Sequence, residues 1–381
     1  MKELKACYKV SSPLVAGGHE ALKKGDCVRP PAIKGALRFW WRTINWSPIR
    51  KLHDNDNDAL KALHNEESYL FGSAAGQTGQ QAKVLLRVAG KLDSEVFQAK
   101  EKLPPGLAYL LGQGMHCRNE GTTRPGLSGN VTVRCVWREE TLTEQQSVSI
   151  QQALLALGLL GSIGARARKG FGSLSIQDLA LDGNELPCPQ TPEQLKQWLQ
   201  ALNENCDNDL LPPFTAWSNK TRCWSLPLHS NVPKTLLNEY GKQMMVYRLS
   251  DQSKIGGSNG LGLFKSDAQN LSNCVEGIPI KSAPRRAVFG LPHNVFFIHN
   301  KQKVEVNPED HERRASPLLA HLHEFPDGKL QMITTLLPAV FLPKGEEIKI
   351  KHKKSFFISF SPEWKVIEDF IQHCDGKELT A

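Results

Sequence analysis

The chain has 381 residues, with 47 Lys and Arg against 39 Asp and Glu, a formal net charge of +8 and an apolar content of 40%. That length sets an expectation of two or three domains, each able to bury its own core. No apolar run approaches the roughly 20 residues that span a bilayer, and no charged-then-apolar leader opens the sequence, so a soluble, cytoplasmic protein is expected. The nine cysteines include no C-x-x-C pair, which argues against a disulfide framework and against a paired-cysteine zinc site. The positive excess favours a polyanionic partner.

Residues 4–12 alternate around Leu4, Ala6, Tyr8 and Val10 and read as a half-buried strand. A loop with Gly17, Gly18 and Gly25 leads to Pro30 and Pro31, which suit the first turn of a helix over 32–45. A second helix is predicted over 58–70, with Asp58 as its cap. Strands follow at 82–88 and 131–138, separated by an insertion over 89–130 that offers a docking surface for neighbours. A helix over 143–160 stops at Gly161, and 173–181 form another strand. The order β-α-β-β-α-β is the ferredoxin-like pattern, with both helices on one face of an antiparallel sheet.

Pro187, Pro189 and Pro192 then interrupt the chain, and a helix over 193–203 leads to Pro212 and Pro213. The expected division is therefore a first domain over 1–185, a linker over 186–220 and a second domain over 221–381. The second half carries strand-like runs at 244–249, 294–299, 332–342 and 355–360, and a terminal helix over 363–373. The fold class expected is α+β.

The segment 29–42, RPPAIKGALRFWWR, is the most informative. On a helix Ile33, Leu37, Trp40 and Ile44 share one side, while Lys34, Arg38 and Arg42 share another. A basic stripe near the positive end of a helix suits a phosphate backbone. Trp41 borders that stripe and is a candidate for stacking on a base. Gly35 suggests a close approach to the backbone.

Residues 158–172, GLLGSIGARARKGFG, interleave five glycines with Arg166, Arg168 and Lys169. Successive amides can form an anion-binding concavity, and three cations add charge-assisted bonds to phosphate oxygens. Gly161, Gly164, Gly170 and Gly172 are the glycines of this expected cradle; Phe171 either stacks or plugs the core. The run is not a Walker loop, and it follows a helix and not a strand, unlike a dinucleotide fingerprint.

Together these segments resemble the RAMP superfamily of CRISPR proteins, and within it the first subunit of the type III-B (Cmr) effector module. That family has an R-P-x-[SA]-I-K-G-x-L-R-x-W-W-R helix, matched here from Arg29 to Arg42, followed by a glutamate and Phe-Gly, matched by Glu66 or Glu67 and Phe71 with Gly72. The runs 285–292 (RRAVFGLP), 313–317 (RRASP) and 341–343 (FLP) resemble further blocks of that subunit. The resemblance implies two tandem ferredoxin-like domains with insertions, no catalytic role and no cofactor. It also implies a place at the 3′ end of a guide RNA, with guide RNA, target RNA and other RAMP subunits as partners. The sequence departs from the family at 256–262, GGSNGLG, which holds glycines but no cation, so Arg285, Arg286, Arg313 and Arg314 are the candidate RNA contacts of the second half.

Some RAMP proteins cut RNA, so the alternative is a stand-alone endoribonuclease that processes guide precursor. Asp26 would then serve a metal, or His19 would act as a base beside Lys23 and Lys24. Neither belongs to a tight constellation. The acidic run 54–58 (DNDND) fails as a calcium loop because Ala59 and Asn65 stand where glycine and glutamate are required. His321 and His323 have no third ligand nearby in sequence.

Overall fold

The computed structural model describes all residues except 17–27, 75–78, 113, 207–209, 229, 250–253, 256–257 and 298–299. In chain order the first half comprises β1 (Lys2–Val10), α1 (Pro30–Lys51), α2 (Asp56–Phe71), β2 (Leu85–Phe97), α3 (Pro105–Leu111), β3 (His116–Cys117), β4 (Gly121–Thr122), β5 (Gly126–Trp137), α4 (Glu144–Leu160), β6 (Leu174–Leu181) and β7 (Asn184–Glu185). After α5 (Pro192–Glu204) come β8 (Arg222–Leu226), α6 (Pro233–Arg248), β9 (Lys254–Ile255), β10 (Ser258–Asn259), α7 (Lys265–Glu276), β11 (Val295–Phe297) and β12 (Gln302–Pro308). The chain ends with β13 (Leu318–Glu324), β14 (Leu330–Leu336), β15 (Ile348–Lys351), β16 (Ser355–Ile358), α8 (Lys365–His373) and β17 (Lys377–Glu378).

The first sheet has the order β2-β5-β1-β6-β7 and antiparallel pairing throughout. Alternation in β1 puts Leu4, Ala6, Tyr8 and Val10 into the core, as the period-2 pattern requires. The helix α1 starts on Pro30 and Pro31, where the missing amides cost nothing. It runs six residues past the predicted 45, through Pro48, because Trp46 and Ser47 are buried and the Ser47 hydroxyl donates to the Trp217 carbonyl. Asn55, and not Asp58, caps α2: the Asp58 amide donates to its side chain at 3.0 Å. A capping box of Thr143 and Gln146 starts α4.

The second half repeats this connectivity around the sheet β13-β14-β8-β17, with α6 after its first strand and α8 before its last. The elements between α6 and β13 and between β14 and α8 build a satellite sheet, β11-β12-β15-β16. Two sequence expectations are corrected here. Residues 244–248 end α6 and are not a strand: the short apolar run MMVY fits either state, and its tertiary neighbours select the helix. The insertion 89–130 is only in part a free surface, with residues 98–100 and 117–120 exposed. It extends β2 to Phe97 and supplies α3, whose Leu107, Leu110 and Leu111 are buried against the second half.

The join between α3 and α6 depends on two glycines. The Gly106 and Leu107 amides donate to the Asn238 side chain at 3.0 and 3.3 Å. A Cβ on Gly106 would run into the Asn238 carbonyl oxygen, and one on Gly241 into the Gly106 carbonyl. Gly35 is the opposite case, exposed and with nothing within 4 Å of where a methyl would stand. Gly106→Ala should therefore lower the apparent melting temperature, at a cost of about 1–3 kcal/mol from overpacking. Gly35→Ala should raise it, by up to about 1 kcal/mol of helix propensity; calorimetric scans of the two variants check both signs.

Candidate nucleic-acid interface

Glycine 161 ends α4 with ordinary backbone angles, so its purpose is space: a Cβ would meet Trp40 Nε1 at 2.5 Å. Beyond it the loop folds back on the first half. The Ile163 amide donates to the Gly172 carbonyl, Ala165 to Val15, Lys169 to Arg166 and Gly172 to Pro13. Gly170 and Gly172 take φ of +85° and +65°, which only glycine adopts freely. Gly161, Gly170 and Gly172 are buried, and Gly164 is exposed. Most of the amides expected to cradle phosphate are thus spent inside the protein, and Phe171 is fully buried in the second core. What the loop presents is its cations.

Those cations meet the second half. The Arg168 guanidinium donates to the Ser316 carbonyl and lies 5.1 Å from the centre of the Phe39 ring of α1. Between them is a cleft of about 160 Å³ that also touches Ala36, Trp40 and Leu319. Arg166, at φ +61°, donates to the Leu111 carbonyl at 2.5 Å. Burial pulls its pKa down, as does Arg313 nearby. Burial and Arg314 push Arg168 down to about 10. Lys169 is lowered too: burial, then Arg248, then Arg166 push it down to about 8. Lys169, Arg248 and Arg313 have no carboxylate partner among the described residues.

Arg248, at the end of α6, was not anticipated from sequence because its segment read as a strand. Its guanidinium covers the Phe289 ring at 4.9 Å, and its Nε is buried without a hydrogen-bond partner among the described residues. His293 lies close to Arg248 and Arg286, and burial together with their charge holds it well below the usual histidine range. An arrangement of this kind attracts anions.

The other predicted arginines divide. Arg313 is exposed. Arg314 donates to Thr215 and to the Val340 carbonyl at 3.3 Å and stacks on Phe341. Arg286 is buried, with Asp267 3.4 Å away, and donates to the Arg248 carbonyl. Arg285 pairs with Glu363 at 3.2 Å. Asp267 also accepts the amides of both Arg285 and Arg286. Arg286 is thus a framework residue, because a buried carboxylate requires it.

The helical stripe needs a correction too. Glu67, almost fully buried, receives Arg38 and Arg42 at 2.5 Å each, and Arg38 also donates to the Gly72 carbonyl. Trp41 points inward: it is 1% exposed, meets Phe71 edge-on and donates to the Ser149 hydroxyl. It is in no position to stack on a base. The Trp-Trp-Arg and Phe-Gly motifs therefore fasten α1 to α2. Arg29 is the exposed N-cap of α1, and Lys34 alone in the stripe has neither hydrogen bond nor ion pair among the described residues. No contact joins Lys34, Arg38 or Arg42 to Arg166 among those residues; α1 reaches the loop through Phe39.

Asp26, His19, Lys23 and Lys24 lie outside the described residues, as do Gly17, Gly18, Gly25, Gly256 and Gly257. His321 and His323 are buried; His321 Nδ1 sits 2.8 Å from the Gly161 carbonyl, and burial pushes His323 down to about 4. Among the described residues no group of His, Cys, Asp and Glu is arranged to hold a metal, and no helix is long and apolar enough to cross a membrane.

The RAMP superfamily model matches residues 7–175. The CRISPR system Cmr subunit Cmr1-1 of Pyrococcus furiosus is 27% identical over 185 residues, covering 46% of this chain and 51% of that protein; the match thus spans about half the length of this curated relative. The apo crystal structure of Cmr1 from the same organism superposes with a TM-score of 0.55 at 16% identity, over 100% of this chain and 98% of that one. A chain of the type III-B Cmr-beta complex, bound to cognate target RNA and AMPPnP in the presence of single-stranded DNA, gives 0.54 at 13% identity over 98% of each chain. These structural likenesses establish a shared α+β fold with antiparallel sheets.

Two outcomes follow from the local electrostatics. Glu67→Gln should cost about 1–3 kcal/mol, since two part-exposed guanidiniums lose their charged acceptor, and urea titration measures it. Lys169 has a folded-state pKa of about 8 against an ordinary 10.5, so it is lost as a cation when pH rises through about 8. Affinity for a polyanion should therefore fall as pH is raised through that window while ordinary lysines keep their charge. Lys169→Arg should remove the fall, and binding titrations across the window test this. The same shift means that stability gained from this group rises with pH between about 8 and 10.5.

Proposed function

We propose that this chain, whose residues 7–175 match the RAMP superfamily model, is a non-catalytic, RNA-binding subunit of a type III-B CRISPR effector complex, of the Cmr1 kind. In this reading it sits at the 3′ end of the guide RNA and helps to hold guide and target RNA in antiviral defence in the cytoplasm. Its partners are those two RNAs and the other RAMP subunits. Support comes from the likeness to Cmr1 and to a chain of a complex that carries target RNA.

The observation that carries the reading is the group formed by Lys169, Arg166, Arg248 and Arg313, where loop cations of the first half meet those of the second. Lys169, Arg248 and Arg313 have no carboxylate partner among the described residues, and like charges brought together in that way raise the local potential and favour a polyanion. Phosphate oxygens would supply the missing partners, and binding would be strongly salt-dependent. The two halves fit two tandem ferredoxin-like domains, over 1–185 and 221–381, with 186–220 as the connection: each central sheet follows the same β-α-β-β-α-β connectivity with its first strand between the third and the fourth.

Lys169→Ala with Arg313→Ala tests the reading, because neither side chain has a hydrogen bond or ion pair among the described residues and the fold should survive. RNA affinity should drop, and the slope of log affinity against log salt should flatten by roughly one unit for each phosphate no longer neutralised. Adding Arg166→Ala, Arg168→Ala and Lys34→Ala should deepen the loss; unchanged affinity and slope would count against the assignment. Incubating the purified chain with repeat RNA, with and without divalent metal, separates this reading from the endoribonuclease. No specific cleavage is expected, and cleavage abolished by His19→Ala or Asp26→Ala would reverse the conclusion.

A further inference from the structure

The satellite sheet covers the third core with one face only. Val304, Val306, Ile348 and Ile350 are fully buried on that side. Alternation then places Phe296, Lys303, Glu305, Lys349, Lys351 and Phe357 on the other. Two of these are phenylalanines left largely in water, Phe296 at 58% and Phe357 at 45% exposure. Register seats Phe296 opposite Lys303, Glu305 opposite Lys351 and Lys349 opposite Phe357. The Lys349 ammonium lies 5.6 Å from the centre of the Phe357 ring.

The charge on this face is one-sided. Glu305 is its carboxylate, held by Lys303 at 2.6 Å, with Lys351 lowering its pKa further. The turns after β11 and β15 meet at one end of the sheet, where His352 Nδ1 lies 3.0 Å from the Lys303 carbonyl. They add the exposed Lys301, Lys353 and Lys354. The two rings stand on the outermost strands, three strand spacings (roughly 14 Å) across the sheet and four residues (roughly 13 Å) along it, so about 20 Å apart, with the lysines between and beside them.

We propose that this face is a second RNA-binding surface, a platform on which single-stranded RNA stacks bases against Phe296 and Phe357 and lays its phosphates along Lys303, Lys349 and Lys351. Aromatic rings on a flat basic sheet are what an unpaired strand requires. A duplex would use the lysines and gain nothing from the rings. An acidic protein surface would likewise leave the rings idle. The proposal rests on the RNA-binding reading above and adds a site remote in sequence from the glycine-rich loop.

The test uses the full chain, a fluorescein-labelled oligouridylate and a duplex RNA of equal length. Phe296→Leu with Phe357→Leu keeps apolar bulk and removes the rings; it should weaken the single strand about fivefold or more per ring and leave the duplex unaffected. Lys349→Gln with Lys351→Gln should flatten the salt dependence by about 0.7 log unit for each phosphate that loses its lysine. Photocrosslinking of the unmodified protein to oligouridylate, mapped by mass spectrometry, is independent of any variant's folding and should place adducts on Phe296 or Phe357. Unchanged binding in both variants and no adducts on this sheet, while Lys169→Ala still weakens binding, overturns the platform and leaves the subunit reading intact. If Lys169→Ala is also silent, both fall.

Discussion

One edge of one strand sets the geometry of the molecule. β13 terminates its sheet, so a row of its backbone groups needs partners from elsewhere. The first half supplies them. The Leu322 amide donates to the Ser173 hydroxyl at 3.0 Å and the Glu324 amide to Ser175 at 2.8 Å. The Ser11 hydroxyl donates to the Leu322 carbonyl, and the Ala320 amide to the Arg168 carbonyl at 3.1 Å. These serines are buried, and an unpaired buried hydroxyl is costly. Seam and serines therefore stand or fall together. Since Arg168 is part of the seam, the loop that carries Arg166 and Lys169 has a fixed place relative to Arg248 and Arg313.

Charge in this protein serves two ends, and burial alone does not distinguish them. Arg38 and Arg42 on Glu67, and Arg286 on Asp267, have a carboxylate partner within the fold. Lys169 and Arg248 are partly removed from water and lack any such carboxylate among the described residues. Holding cations that way opposes folding, as the lowered Lys169 pKa records. In the proposed function an incoming phosphate would reverse that cost and turn it into affinity.

Much of the first half was legible because its leading elements, β1 and α1, each keep one wet face. β1 alternates, and α1 separates Ile33, Leu37 and Trp40 from Lys34 and Arg38 by angle. The second half was not. β13 is buried on both faces over Leu318 to His323, so it shows no alternation, and the MMVY run of α6 is apolar without a period. In the candidate site the loop cations were readable from glycine and charge alone. Arg248 was not, because its role depends on where α6 ends in space. Trp41 sits at the angular border between the apolar and basic faces of α1, and only Phe71 and Ser149 decide its direction. Nor does any spacing pair Glu67 with two arginines on a different helix.

The helix α4 carries a last implication, for synthesis. From Ala153 to Leu160 it is buried on every side, walled by the first sheet, by α1 and by β13. Its third wall is encoded more than 150 residues downstream of its own first turn. A ribosome that has released the first half therefore holds a nascent chain whose leucine stripe still lacks the wall that β13 provides. A message cut between the two halves should therefore yield a fragment with exposed leucines, prone to association.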